Sequence, residues 1–234
     1  MRVGCMGKTG LIAGAFFGMS FFGMGLLLGF GQPDAYAMIV INEVLADPAA
    51  LGGDANRDGF TSTTQDEFIE LVNPSSSGIS LGSWTLSDAI KIRHVFDPSA
   101  SIAPWEFLVV FGGGSPNGFQ NVTVASTGSL SLNNAGDTVT LRDDAGLIID
   151  IFTYGSEGGA DTSLTRFPDA FGTVVKHNTV AQVLYSPEAT VDGLSKIPHS
   201  DASPVIPEPS CMGLIGFGIL VITGRKFSQG YCPF

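Results

Sequence analysis

Asp54, Asn56 and Asp58 stand at alternate positions, and Gly59 follows directly. Side-chain oxygens spaced in this way converge as a chain turns around a cation, and glycine at the sixth position permits the sharp turn. The stretch has the first half of a twelve-residue calcium loop, with the Phe60 carbonyl where a backbone ligand is expected. The twelfth position counted from Asp54 is Gln65, which lacks the usual bidentate carboxylate; Asp66 and Glu67 follow it and offer acids in its place. The expected metal set is therefore Asp54, Asn56, Asp58, Phe60 and Asp66, with Ca2+ as the cofactor. Asp, Asn and Gly also form turns on their own account, so a solvated acidic loop is the competing reading. Three spaced oxygen donors together with the glycine favour calcium.

The remaining chemistry-bearing residues form no catalytic constellation. Glu43, Asp66, Glu67 and Glu70 are the carboxylates from which an acid–base pair can be drawn, but such chemistry needs two carboxyls facing each other across a cleft. His94, His177 and His199 lie far apart without metal-ligand spacing and read as surface or loop histidines. No G-x-S-x-G context surrounds a serine. Gly112-Gly113-Gly114-Ser115 lacks the lysine of a phosphate loop and reads as a turn. Asn121-Val122-Thr123 matches a glycosylation sequon by pattern alone. The chain is read as a non-enzyme, the alternative being a secreted calcium-dependent hydrolase with a carboxylate site.

The elements that must position the loop are two β-rich runs, residues 39–45 and 67–73, which bracket it. The second places Phe68, Glu70 and Val72 on one face and Ile69 and Leu71 on the other, so apolar residues occupy both faces. Further short runs fall at residues 79–87, 94–96, 107–111, 121–124, 138–142 and 148–154. Gly- and Asn/Asp-rich turns separate them, including Asp143-Asp144-Ala145-Gly146 between the last two. Residues 163–167 and 173–175 are expected as edge strands and residues 186–193 as loop. Trp84 is expected to anchor the core. Many short strands at this spacing, with 31 Gly and 13 Pro in 234 residues, predict an all-β sandwich or barrel in one domain.

The formal charge is −11, and the part between the terminal segments carries 20 acids against 7 bases. Such a surface repels phosphate backbones, so no nucleic-acid partner is expected. Cys5, Cys211 and Cys232 all lie outside the middle, which excludes a disulfide framework or cysteine-ligated zinc within it.

The order of these residues resembles the lamin tail domain. The resemblance rests on Ile41-Asn42-Glu43, Asp66-Glu67-Phe68-Ile69-Glu70-Leu71-Val72-Asn73 and Leu81-Gly82-Ser83-Trp84-Thr85-Leu86-Ser87-Asp88. It continues with Phe107-Leu108-Val109-Val110, Leu132-Asn133-Asn134-Ala135-Gly136-Asp137, the hairpin over residues 140–150 with Tyr154, and a closing segment from Ser163-Leu164-Thr165-Arg166 to Val191-Asp192-Gly193. It implies an immunoglobulin-like β-sandwich of the kind found in secreted bacterial proteins.

Both ends read as addresses. Arg2 and Lys8 precede an apolar run over residues 11–30, and Ala35 and Ala37 fit the small-x-small pattern of a signal peptide cleaved before Met38. An uncleaved anchor is the alternative, since about 20 apolar residues also span a bilayer. At the other end Pro207-Glu208-Pro209, an apolar run over residues 212–223 and the basic pair Arg225-Lys226 resemble the PEP-CTERM sorting signal; an ordinary C-terminal anchor is the alternative. That resemblance implies an exosortase-type processing enzyme as a partner. It also implies transient anchoring in the inner membrane by the C-terminal helix, and final placement at the cell surface or matrix of a Gram-negative bacterium. The expected organisation is a signal peptide at 1–37, the sandwich at 38–195, a linker at 196–204 and the sorting segment at 205–234. The expected role is calcium-stabilised binding or structural support, with a surface polysaccharide or a protein as partner.

Overall fold

The computed structural model describes residues 39–199. Ala35, Ala37, Pro207, Glu208, Pro209, Arg225 and Lys226, with the expected signal and sorting segments, lie outside the described residues. Among the described residues there is no α-helix, only two 3-10 turns at Ser156–Gly159 and His177–Thr179, and no helix long and apolar enough to cross a membrane.

The strands follow in chain order. β1 (Val40–Leu45) and β2 (Phe68–Val72) flank the long loop, and β3 (Ile79–Ser80), β4 (Thr85–Ser87), β5 (Ile92–Val95) and β6 (Ser101–Ile102) are short. β7 (Phe107–Phe111) and β8 (Val122–Val124) precede the hairpin of β9 (Asp137–Arg142) and β10 (Ile148–Tyr154). β11 (Leu164–Phe167) and β12 (Thr173–Lys176) come last. One sheet has the order β12-β11-β1-β2-β7-β8, a second has β10-β9-β4-β5, and β3 pairs with β6. Among the described residues only the β7–β8 pairing is parallel. The β9–β10 turn closes as its composition predicts, with the Gly146 N–H donating to the Asp143 carbonyl and Gly146 at φ +81°.

The two larger sheets enclose the main core, to which Ile41, Leu71, Leu86, Val110, Leu141 and Phe152 contribute from both sides. Phe152 is buried there. Truncating it to alanine removes a large apolar surface and leaves a void, so Phe152→Ala is expected to cost about 3–5 kcal/mol in urea unfolding. A cost below about 1 kcal/mol would mean that the two sheets do not close on one another through this ring.

β1, β2 and β7 are buried on both faces because the six-stranded sheet has a second cover. Leu45, Phe68, Val109 and Phe111 form a separate cluster on its outer side, packed against Phe119, Val122 and Tyr185. Val72 and Phe107 meet Ala170 and Ile197 in a third. Part of the cover, with Tyr185 and Ile197, is the segment from residue 180 to residue 197, which crosses this face without strand or helix and is hereafter the strap; Ala55, Phe119 and Ala170 supply the rest. The apolar residues on both faces of residues 67–73 are thus accounted for by the core on one side and by the strap with its neighbouring loops on the other.

Two expectations about elements are corrected. β11 is an interior strand, paired with β1 on one side and with β12 on the other, and β12 forms the edge. Trp84 is only partly buried and packs against the rim of the core. It sits in the turn before β4, where its N–H closes onto the Leu81 carbonyl, so its ring covers the core. The interior volume is filled by phenylalanines and aliphatic side chains.

Candidate functional site

The loop between β1 and β2 is organised by its own acids. The Asp54 carboxylate accepts the N–H of Asp58 at 3.1 Å and that of Gly59 at 3.1 Å. Asn56 Oδ1 accepts Asp58 N–H at 3.0 Å, and Asp58 Oδ1 accepts Phe60 N–H at 3.0 Å. Gly59 has φ +92° and Arg57 φ +59°, so the chain reverses within these residues. The Arg57 guanidinium lies over the Phe119 ring at 4.3 Å. Asp66 closes the loop from its far end: one carboxylate oxygen accepts Asn56 N–H at 3.0 Å and the other Ser62 N–H at 2.7 Å. Burial pushes the Asp66 carboxyl above its usual range, against the pull of these amides and with a further push from Asp54.

This loop is docked on the segment after β7, a pairing that the sequence alone did not suggest. Asn117 N–H donates to the Asn56 carbonyl at 2.9 Å, and Ser115 N–H to Asp58 Oδ2 at 3.1 Å. Asn56 Nδ2 donates to the Gly113 carbonyl at 3.3 Å. A Cβ on Gly112 would lie 1.9 Å from the Thr64 carbonyl oxygen, and one on Gly114 would lie 2.3 Å from Asn56 Nδ2 and 2.4 Å from Asp58 Oδ2. The triple glycine, read from the sequence as a turn, is a cradle against which the loop lies. The signal in the sequence was the run of three glycines itself, which a turn alone does not require.

The residues fit a calcium ion in part. Asp54, Asn56 and Asp58 are brought together, their oxygens oriented by backbone N–H groups, with lone pairs remaining for a cation. Phe60 is largely exposed, with its N–H on Asp58. Asp66 is fully buried, its two oxygens on the amides that fasten the loop, so the loop needs it as a lock. Glu67 does not join the loop. It turns between the sheets, where it accepts the Leu132 N–H at 3.3 Å, and burial pushes its carboxyl up to about 8. Among the described residues no group of three His, Cys, Asp or Glu side chains stands together as a metal-holding cluster; the loop's donor set relies on asparagine and backbone oxygens as well.

Glu43 and Glu70 are brought side by side, though not across a cleft. The ladder between β1 and β2 shifts register between Ile41 and Glu43, leaving Asn42 as the extra residue and setting Glu43 opposite Glu70. Both are fully buried under the strap. Ser186 N–H and Ser186 Oγ bond Glu43 at 3.0 and 2.9 Å, and Ser163 Oγ donates to it as well. Glu70 accepts Asn42 Nδ2 at 2.9 Å and Glu188 N–H at 2.7 Å. A third carboxylate, Asp169, accepts Asn42 Nδ2 at 3.1 Å and Val191 N–H at 3.2 Å. Three buried carboxylates thus hold the strap through its amides at residues 186, 188 and 191. Burial raises the carboxyls of Glu43 and Asp169, and Glu70, buried beside Glu43, stands well above the ordinary value.

Two of the histidines depart from the surface reading. His177 is fully buried, with Nδ1 against the Val183 carbonyl at 3.0 Å and Nε2 against Ser186 Oγ at 2.9 Å. Ser186 therefore links Glu43 to His177, within the strap's anchorage. His94 lies on β5 with Nδ1 accepting Ser126 N–H at 3.1 Å, and burial lowers its basicity to about 4. Nothing in the local sequence marks either one, because each is buried by segments more than thirty or only six to nine residues away that carry no shared pattern. His199 stacks on Trp105 with ring centroids 4.5 Å apart.

The sequence model of the lamin tail domain matches residues 32–156, more than half of the chain. The match runs through β10 and stops before β11, β12 and the strap. No characterised protein matches the chain as a relative. With its model matched over more than half of the sequence, on strands that build a β-sandwich, the chain belongs to the lamin tail domain family.

Proposed function

We propose that this lamin tail domain is a non-catalytic, exported binding or structural module of the cell surface or matrix, stabilised by calcium. The observation that carries the reading is the loop of Asp54, Asn56 and Asp58 held against the glycine cradle. Asp54, Asn56, Asp58 and the Phe60 carbonyl hold the ion, Asp66 fastens the loop around it, and the bound charge ties β1 to β2 and β7. Calcium supplies structural charge neutralisation here and no chemistry. The N-terminal signal ending at Ala35 and Ala37 delivers the domain. The segment with Pro207, Glu208, Pro209, Arg225 and Lys226 retains it until an exosortase-type enzyme acts. The hydrolase alternative has no observation in its favour: its best pair, Glu43 and Glu70, lies sealed beneath the strap.

Titration of the full-length chain with calcium in a calorimeter tests the proposal. Binding with a Kd on the order of 0.1–1 mM is expected, as for extracellular calcium modules, with at least about a tenfold weakening in Asp58→Ala. Absence of heat, together with an unfolding temperature indifferent to calcium, would remove the metal from the account.

A further inference from the structure

A cavity of about 250 Å3 opens where the strap crosses the start of β7 and the residues before β8, lined by Glu106, Gln120, Asn121, Glu188, Ser195 and Lys196 over Phe107. Its walls are built from both ends. Glu188 holds a left-handed backbone at φ +63°, a conformation retained only where surroundings over-determine it. Its N–H is on the buried Glu70 carboxylate at 2.7 Å. Its own carboxylate takes the Gln120 N–H at 2.8 and 2.7 Å and the Asn121 N–H as well. Asn121 Nδ2 is fixed on the Phe107 carbonyl at 3.0 Å. On the opposite side Lys196 pairs with Glu106 at 2.5 Å, and Ile197 N–H donates to the Trp105 carbonyl at 3.0 Å.

The chemistry of this wall selects its ligand. Two carboxylates accept hydrogen bonds, the ammonium of Lys196 donates, and the amides of Gln120 and Asn121 and the Ser195 hydroxyl do both. The space equals that of about eight waters, room for one ring carrying several hydroxyls. An apolar ligand would take these polar groups out of water without meeting their remaining donors and acceptors. An anionic one meets two carboxylates against one ammonium, within a described stretch of 19 acids to 7 bases. The cavity is open on one side, so a ring can sit in it while a chain continues past. We propose that this cavity binds one sugar ring of a neutral polysaccharide. The proposal rests on the surface-binding reading and names its partner class and site.

The experiment uses the full-length chain with neutral tetrasaccharides of glucose, xylose and mannose, and a uronate tetrasaccharide, in ligand-observed NMR. At least one neutral tetrasaccharide should bind with a Kd below about 10 mM. Gln120→Ala combined with Lys196→Ala, both exposed positions, should weaken it at least about tenfold with the circular dichroism spectrum unchanged, and the uronate should not compete. No neutral binding below that limit, equal binding by the double variant, or equal binding of the uronate would overturn the proposal. Retention on isolated extracellular matrix separates the two readings: if both proteins are retained alike, the surface-binding reading stands and the cavity fails. If neither is retained, the surface-binding reading fails, and the tetrasaccharide titration alone decides the cavity.

Discussion

The unfolding temperature of the domain in calcium-free buffer should fall between pH 6.5 and 8, and Glu67→Gln should make that fall shallower. Glu67 is buried between the sheets with its carboxyl raised from 4.5 to about 8. The folded state therefore holds a proton that the unfolded chain has already lost above pH 4.5. Each pH unit across that window removes about 1.4 kcal/mol of stability. His94 has the opposite sign: its ordinary value of 6.5 drops to about 4 on burial, so its contribution is present above 6.5 and lost as pH falls toward 4. From 4.5 to 6.5 the two slopes oppose one another. Of these two, only Glu67 acts above 6.5, where it removes about 2 kcal/mol by pH 8, about 4–8 °C for a domain of this size. The raised carboxyls of Glu43, Glu70 and Asp169 act in the same direction as Glu67. The substituted glutamine keeps an acceptor for the Leu132 N–H, so the variant should fold. A wild-type profile that is flat or rising from 6.5 to 8, or an unchanged fall in Glu67→Gln, would show that Glu67 does not hold its proton in the folded protein.

Gly114→Ala should lower stability by about 1–3 kcal/mol and remove most of the thermal stabilisation expected from calcium in the wild-type protein. The added Cβ meets Asn56 Nδ2 at 2.3 Å and Asp58 Oδ2 at 2.4 Å, and the backbone at φ +77° disfavours any side chain. Since both contacts are atoms of the loop, the substitution has to displace the two residues expected to hold the ion. Gly128→Ala is the control, because Gly128 has φ +83° but open space around its Cβ position. It carries the backbone strain, about 1 kcal/mol, without touching the loop, and should keep the full response to calcium. Measuring unfolding temperature with and without calcium separates the cases. An equal loss of response in both variants would mean that strain alone, and not the cradle, governs the loop.

How far the site was legible follows from where its bonds run. The loop's internal order was readable at Asp54, Asn56, Asp58 and Gly59 because those residues bond partners two to five positions away. Its docking on Gly113, Ser115 and Asn117 was not, because those contacts span more than fifty residues. The same limit explains β11: its composition reads as an edge strand, whereas its partners on both sides are set by how β1 and β12 are laid beside it.

By itself the sequence determined the β class, the longer strands, the β9–β10 turn and the local order of the loop over residues 54–59, since each depends on alternation, turn residues and short-range hydrogen bonds. Only the tertiary structure decided what the acids do. A single extra residue at Asn42 sets Glu43 opposite Glu70, and the strap, more than a hundred residues further on, seals both and fastens itself to them. Burial then turns carboxylates that resemble a catalytic pair into anchors for backbone amides, because a carboxyl removed from water must find donors or keep its proton.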